Sequence, residues 1–265
     1  MANLSEIITS VGEYTHPDGN VYPPVVHTVE GIPGGEFTKV PRSERPAFIW
    51  RLPATHTVRL DTSSAEVDAR YAESGFLIHF LALLVGFRMQ FHDWWIDGRG
   101  DLQGTTDYWP PNERQLSVAC KRALGVWRAW PDKSKRIATN ALYLHSRIDA
   151  YEAEWERFQI AFQVVDVTYR IAVDIGRIPP RRVPRRHADR LALLCDQLGL
   201  ATNSDKCDRL VELRNGLLHE ALWDGGMPGA VVTQDAFYSS RWLEKLGRRA
   251  LFAVLGLGGA YIASP

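Results

Sequence analysis

Cysteine is scarce: Cys120, Cys195 and Cys207 are the only three in 265 residues. They are far apart and odd in number, so neither a disulfide framework nor zinc-ligand spacing is present, and a reducing, cytoplasmic setting is expected. The start, Met1-Ala2-Asn3-Leu4-Ser5-Glu6, lacks the basic residues and apolar run of a signal peptide. Long apolar runs are missing too. The longest, 75–87 and 250–263, fall short of the ~20 residues that span a bilayer, so both read as buried helices and no membrane partner is expected. Net charge is absent, with Lys+Arg and Asp+Glu both at 31. Any affinity for nucleic acid must therefore come from a local patch. Lysine is rare, since 25 of the 31 basic residues are Arg. That bias suits phosphate recognition, and a GC-rich genome produces it equally.

What is present is an ordinary globular composition, 45% apolar and 23% charged, with enough chain for a real core. Residues 1–62 hold the Pro and Gly clusters, with short strand-like runs at 25–29, 36–40, 48–52 and 57–60, and read as a small irregular β-rich segment. From Ser63 on the signals are helical, so the fold class is mainly α. An accessory helical region, 63–130, holds a helix over 65–95, a loop at 98–111 and a helix from an Asn112 cap to about Trp127. A helical domain, 131–265, comes next. Its helices are expected from an Asp132 cap to His145, over 149–175, 185–199 and 204–223, and over 239–256.

The 149–175 helix has two apolar faces. Trp155, Phe158, Phe162, Val165, Tyr169 and Ala172 form one; Ile160, Val164, Val167 and Ile171 form the other. A helix apolar on two sides is buried on two sides. It lies either centrally in a bundle or between the bundle and a partner chain.

The helix over 203–223, capped by Asn203 or Ser204, carries an apolar stripe of Cys207, Leu210, Val211, Leu217, Leu218 and Leu222. Beside it runs a polar line of Asp208, Glu212, Asn215 and His219. Arg214 stands inside the stripe. A buried arginine must be paired or face another chain, because desolvating a charge costs several kcal/mol. The plainer alternatives are an arginine that snorkels to the rim or pairs with a carboxylate such as Asp166.

Arg214-Asn215-Gly216-Leu217-Leu218-His219 resembles the signature of HEPN ribonucleases: Arg, often followed by Asn, then His after four to six residues. The flanks Leu210-Val211-Glu212-Leu213 and Glu220-Ala221-Leu222-Trp223 are similar to the Apea-like HEPN group. So are Ala141-Leu142-Tyr143-Leu144-His145 and Glu154-Trp155-Glu156-Arg157-Phe158 upstream. The resemblance covers about residues 135–257. Ala221 sits where one toxin subgroup has Tyr. The fold it implies is a HEPN-like helical bundle, preceded by the β-rich part and additional helices.

The resemblance implies a metal-independent endoribonuclease without cofactors, acting on RNA in bacterial anti-phage defence or as a toxin. Two HEPN units pair in such enzymes, so a homodimer or another HEPN partner is implied. Arg214, Asn215 and His219 are the catalytic candidates. RNA carries its own nucleophile, the 2′-hydroxyl. An imidazole, with an ordinary pKa of about 6.5, moves protons near neutral pH. Arg214 would stabilise the phosphate's charge, and Asn215 would orient the imidazole or contact the phosphate. The products are a 2′,3′-cyclic phosphate and a 5′-hydroxyl. The alternative is a catalytically silent HEPN module that binds RNA, a nucleotide or a protein.

The spacing alone is weak, with about 0.8 matches expected by chance, against about 0.02 once Asn must follow Arg. Arg51–His56 and Arg182–His187 share the spacing, but Pro53 and Pro184 keep them out of a regular helix. The run Pro179-Pro180-Arg181-Arg182-Val183-Pro184-Arg185-Arg186 is the strongest basic cluster. Its four arginines, Arg181, Arg182, Arg185 and Arg186, are candidates for an RNA backbone, against the plainer reading of a solvated loop. His92-Asp93 reads as a helix end. Asp208 and His219, ~16 Å apart along a helix, cannot share a metal ion. The segment Gly225-Gly226-Met227-Pro228-Gly229 reads as a flexible connector.

Overall fold

The computed structural model describes residues 73–86, 113–151, 153–180, 184–230 and 233–263, with backbone alone at 74, 85, 113 and 114, and six strand backbones nearer the amino terminus. The described residues are mainly helical. The chain divides into two compact units, Met1–Leu124 and Gly125–Pro265.

In the first unit, β1 (Glu6–Val11) runs antiparallel to β4 (Val25–Glu30), β2 (Tyr14–Thr15) to β3 (Val21–Tyr22), and β5 (Gly35–Thr38) to β6 (Thr57–Leu60). Helix α1 spans Glu73–Val85. Phe76, Leu77, Phe80, Leu81, Leu83 and Leu84 are all buried on it, as its continuous apolar sequence requires. The unit boundary falls within α2 (Glu113–Arg128). Among the described residues no helix is long and apolar enough to cross a membrane. The run 48–52, the 98–111 loop, the Asn112 cap, His92-Asp93 and Arg51–His56 lie outside the described residues.

The second unit is built around α4 (Glu154–Asp174), which packs against α3 (Asp132–Ser146), α5 (His187–Leu198) and α7 (Gln234–Val254). Phe158, Phe162, Val165, Tyr169 and Ala172 are buried on one face, and Val164 and Ile171 on the other, with Ile160 and Val167 half-buried. Each fully buried Val, Ile or Phe contributes about 1.5–3 kcal/mol, so the two faces make α4 the axis of this core. The α4–α7 approach is close. A Cβ on Gly247 would meet Val164 Cγ1 at 3.3 Å and Val165 Cγ2 at 3.5 Å.

Helix ends differ in instructive ways. Asp132 is the first residue of α3 rather than its cap; Pro131 holds the cap position with its fixed φ, and Asp132 pairs with Lys135 at 3.3 Å. Helix α4 starts later than expected because a 3₁₀ turn, Ile148–Ala150, comes first. Helix α7 starts earlier because Thr233 caps it, its Oγ1 accepting from the Ala236 N–H at 3.2 Å. Helix α5 ends at Gly199, left-handed at φ 67°, with the Leu200 N–H donating to the Cys195 carbonyl at 2.8 Å.

Candidate functional site

Helix α6 spans Ser204–Asn215, and Asn203 caps it by accepting from the Lys206 N–H at 2.8 Å. Cys207, Leu210 and Leu213 are its buried residues. The expected 203–223 helix does not continue as α. A π-helical turn occupies Gly216–Glu220 and closes on Ala221, left-handed at φ 55°. The Gly216 carbonyl accepts from the N–H groups of Ala221 and, at 3.0 Å, Leu222.

This turn corrects the expected stripe. Val211, Leu217 and Leu222 are half-buried and Leu218 is 47% exposed, while Leu213 and Trp223 go into the core. For Leu217, Leu218 and Leu222 the physical reason is the change of period at Gly216: wider i→i+5 closure rotates the residues beyond it out of α register. It also brings the motif together. In a uniform α-helix, residues five apart point about 140° away from each other. Here Arg214 Nη1 lies 3.4 Å from His219 Nε2 and donates to Asn215 Oδ1 at 2.9 Å.

Arg214 is not buried within an apolar stripe. It is half-buried, with its guanidinium carbon 5.9 Å from the centroid of the buried Phe162 ring. Such a cation–π contact is worth about 0.5–1 kcal/mol at an exposed site. Among the described residues no carboxylate, Asp166 included, pairs with it, and no partner chain is required to account for its position. Asn215 and His219 are exposed.

Gly216 leaves the close approach of the turn unobstructed. A Cβ there would stand 3.3 Å from the Leu222 carbonyl oxygen, which is backbone and yields poorly. Alanine also favours regular helix by about 1 kcal/mol over glycine. Gly216→Ala is therefore expected to change unfolding free energy by only about 1 kcal/mol while separating His219 from Arg214. Chemical denaturation together with the His219 side-chain NMR signals checks this; unchanged signals would contradict it.

Beyond the π turn the chain is anchored. Trp223 is fully buried, its ring 5.0 Å from that of Phe158. Its N–H and C=O pair with those of Gly226 at 2.8 and 3.0 Å, and Asp224 and Gly225 both have positive φ, a tight type I′ turn. The segment expected to be a flexible connector thus begins in a closed turn. Arg209 joins α6 to this turn and to α7: it pairs with Asp224, with Glu212 at 3.0 Å and with Asp235 at 2.7 Å. The Thr233 hydroxyl and Arg209 together hold the Asp224 carboxyl below its usual range, against its burial.

A second group of polar residues borders the motif across α4 and α5. His187 Nδ1 lies 3.9 Å from Asp166 Oδ1, and its ring meets Phe162 edge-on at 6.3 Å between centroids. Burial and then Arg214 push the His187 pKa down, Asp166 pulls it up and Arg190 lowers it again. Arg190 Nε donates to the Pro184 carbonyl at 2.9 Å. Tyr169 is pushed up, chiefly by burial.

Of the basic cluster, Arg181 and Arg182 lie outside the described residues. Arg185 and Arg186 are exposed, and Arg186 is paired with Asp208 at 3.0 Å and Asp189 at 3.9 Å. The polar line beside the stripe is spent in the same way, Asp208 on Arg186 and Glu212 on Arg209. Among the described residues no group of three His, Cys, Asp or Glu has the geometry to hold a metal ion. The three thiols are free and buried, and burial pushes Cys120 and Cys195 up to about 12. They are therefore unreactive. In the upstream segments Ala141-Leu142-Tyr143-Leu144-His145 and Glu154-Trp155-Glu156-Arg157-Phe158, Ala141, Leu142, His145 and Phe158 are core residues and the others are half-buried.

No family model, no curated protein and no solved structure matches the chain. In the sequence His187 stands out only through its chance spacing to Arg182, and Asp166 only as a partner for Arg214. The one signal available for Asp166 is that it stands one helical turn from Phe162, on the face that meets α5; no other spacing points to His187.

Proposed function

We propose that this chain is a metal-independent endoribonuclease of the HEPN type. The observation that carries the reading is the solvent-facing union of Arg214, Asn215 and His219 by a π turn, a feature frequent at functional sites. RNA supplies its own 2′-hydroxyl nucleophile. The protein must move protons and stabilise charge on the phosphate, which an imidazole beside a guanidinium fork can do. Arg214 would hold the phosphate, His219 would transfer a proton, and Asn215 would steady the arginine it already touches. Arg185 and Arg186, with Arg181 and Arg182, would add attraction for the RNA backbone.

The HEPN resemblance supports a pairing of two such units, here a homodimer, in a cytoplasmic bacterial setting of anti-phage defence or toxicity. Leu218, exposed one residue before His219, is an apolar side chain that such pairing would cover.

The test is cleavage of a mixed-sequence RNA by the purified protein, with end-group analysis. Cleavage is expected to persist in excess EDTA, to leave 2′,3′-cyclic phosphate and 5′-hydroxyl ends, and to vanish on an all-deoxy oligonucleotide. Tight RNA binding without cleavage would replace this reading with the silent HEPN module.

A further inference from the structure

We infer that His187, set by Asp166, is a second proton-transfer histidine of the Arg214–His219 site, so that one chain carries two imidazoles around one guanidinium. The inference rests on the ribonuclease reading and adds a residue to it.

The geometry runs through Phe162. Its ring carries Arg214 at 5.9 Å and meets the His187 ring edge-on at 6.3 Å. His219 reaches the same guanidinium at 3.4 Å. Three helices thus converge: α4 contributes Phe162 and Asp166, α5 contributes His187, and α6 with its π turn contributes Arg214 and His219. His187 is the first residue of α5, and its side chain is 30% exposed, so its imidazole is open to a ligand. Asp166 stands at ion-pair distance from Nδ1, 3.9 Å. That places the carboxylate behind the ring and leaves Nε2 as the nitrogen for substrate. Catalytic hydrogen bonds are often long before substrate binds.

The groups facing His187 decide its role. Burial and the Arg214 and Arg190 charges lower its proton affinity, and Asp166 alone opposes them. A neutral imidazole at neutral pH is a base. In the proposed step the RNA 2′-hydroxyl gives its proton to His187 Nε2 as the 2′-oxygen bonds to phosphorus. The phosphorus–5′-oxygen bond breaks, and His219 gives a proton to the departing 5′-oxygen. Both histidines then return to their starting forms by exchange with water.

The test compares His187→Ala, Asp166→Asn and Arg190→Gln with the unmodified protein. His187→Ala is expected to lower kcat by about a hundredfold or more with little change in KM. The limb of the kcat/KM profile that rises with pH reports the base. Asp166→Asn removes the charge that raises the His187 pKa, so this limb moves to lower pH. Arg190→Gln removes a charge that lowers it, so the limb moves to higher pH. A residue needed only for structure would depress the rate without moving the limb in either direction. Wild-type rate and profile in His187→Ala, with His219→Ala inactive, would overturn the inference and leave the ribonuclease reading standing. Should the unmodified protein cleave no RNA, that reading falls and the proton-transfer role with it, and inorganic phosphate decides separately whether His187 and His219 belong to one site. The NMR signals of both imidazoles are expected to shift with one half-saturation concentration; a response from His219 alone, or from neither, would overturn it.

Discussion

His219→Ala is expected to reduce RNA cleavage by about 10²–10⁴-fold, the usual contribution of a positioned acid or base, and to leave the fold intact. His219 is exposed, and its polar contact is with Arg214. Its loss opens no core cavity, and surface changes of this kind usually cost no more than about 0.5 kcal/mol. Arg214→Ala is expected to be equally inactive, with a small added loss of stability, because it uncovers the face of Phe162. Arg214→Lys is the sharper variant. It keeps the positive charge but not the planar fork that reaches Asn215 and His219 together, so activity is expected to stay near that of Arg214→Ala. Initial rates on one RNA, with melting temperatures measured in parallel, check all three. Cleavage by His219→Ala at the unmodified rate would remove His219 from the site.

Sequence reveals those features whose forces act locally. The two apolar faces of α4 are readable because burial on a regular helix leaves a 3-4 spacing, and Val164, Val165 and Ile171 lie where that spacing puts them. The start of α7 is legible in principle at Thr233, but Asp235 and Ala236 carry no strong periodicity, and the expected start falls five residues late. The π turn is not legible. A uniform period of 3.6 through Gly216 is enough to place Leu218 in the core and Arg214 inside an apolar stripe, and the break in period undoes both. The motif residues themselves are found by spacing and by the Asn beside the Arg, whereas their juxtaposition depends on that break. His187 is invisible for a different reason. It reaches Arg214 only through tertiary packing around Phe162, and no spacing in one helix encodes a contact between three.

Trp223→Ala is expected to be the most damaging change to stability, costing about 3–5 kcal/mol, as for other buried Trp or Phe truncations. Trp223 is fully buried against Phe158, near the amino-terminal end of α4. Against a total stability of roughly 5–15 kcal/mol, such a loss leaves the chain marginal near body temperature. Trp223→Phe separates packing from polarity. The Trp223 Nε1 is buried with no hydrogen-bond partner among the described residues, so phenylalanine keeps an aromatic ring on Phe158 and removes an unsatisfied donor. Most of the stability is expected to return. The functional consequence comes from position. Trp223 is the first buried residue after the π turn, and with the Asp224-Gly225 turn it fixes the chain end of Gly216–Glu220. Trp223→Ala therefore frees the segment that holds His219 beside Arg214, and RNA cleavage is expected to fall even at temperatures where the protein remains folded. Urea unfolding and cleavage rates on the same preparations measure the two effects. A cost below about 1 kcal/mol, within the range of an ordinary surface change, would show that Trp223 does not anchor the site.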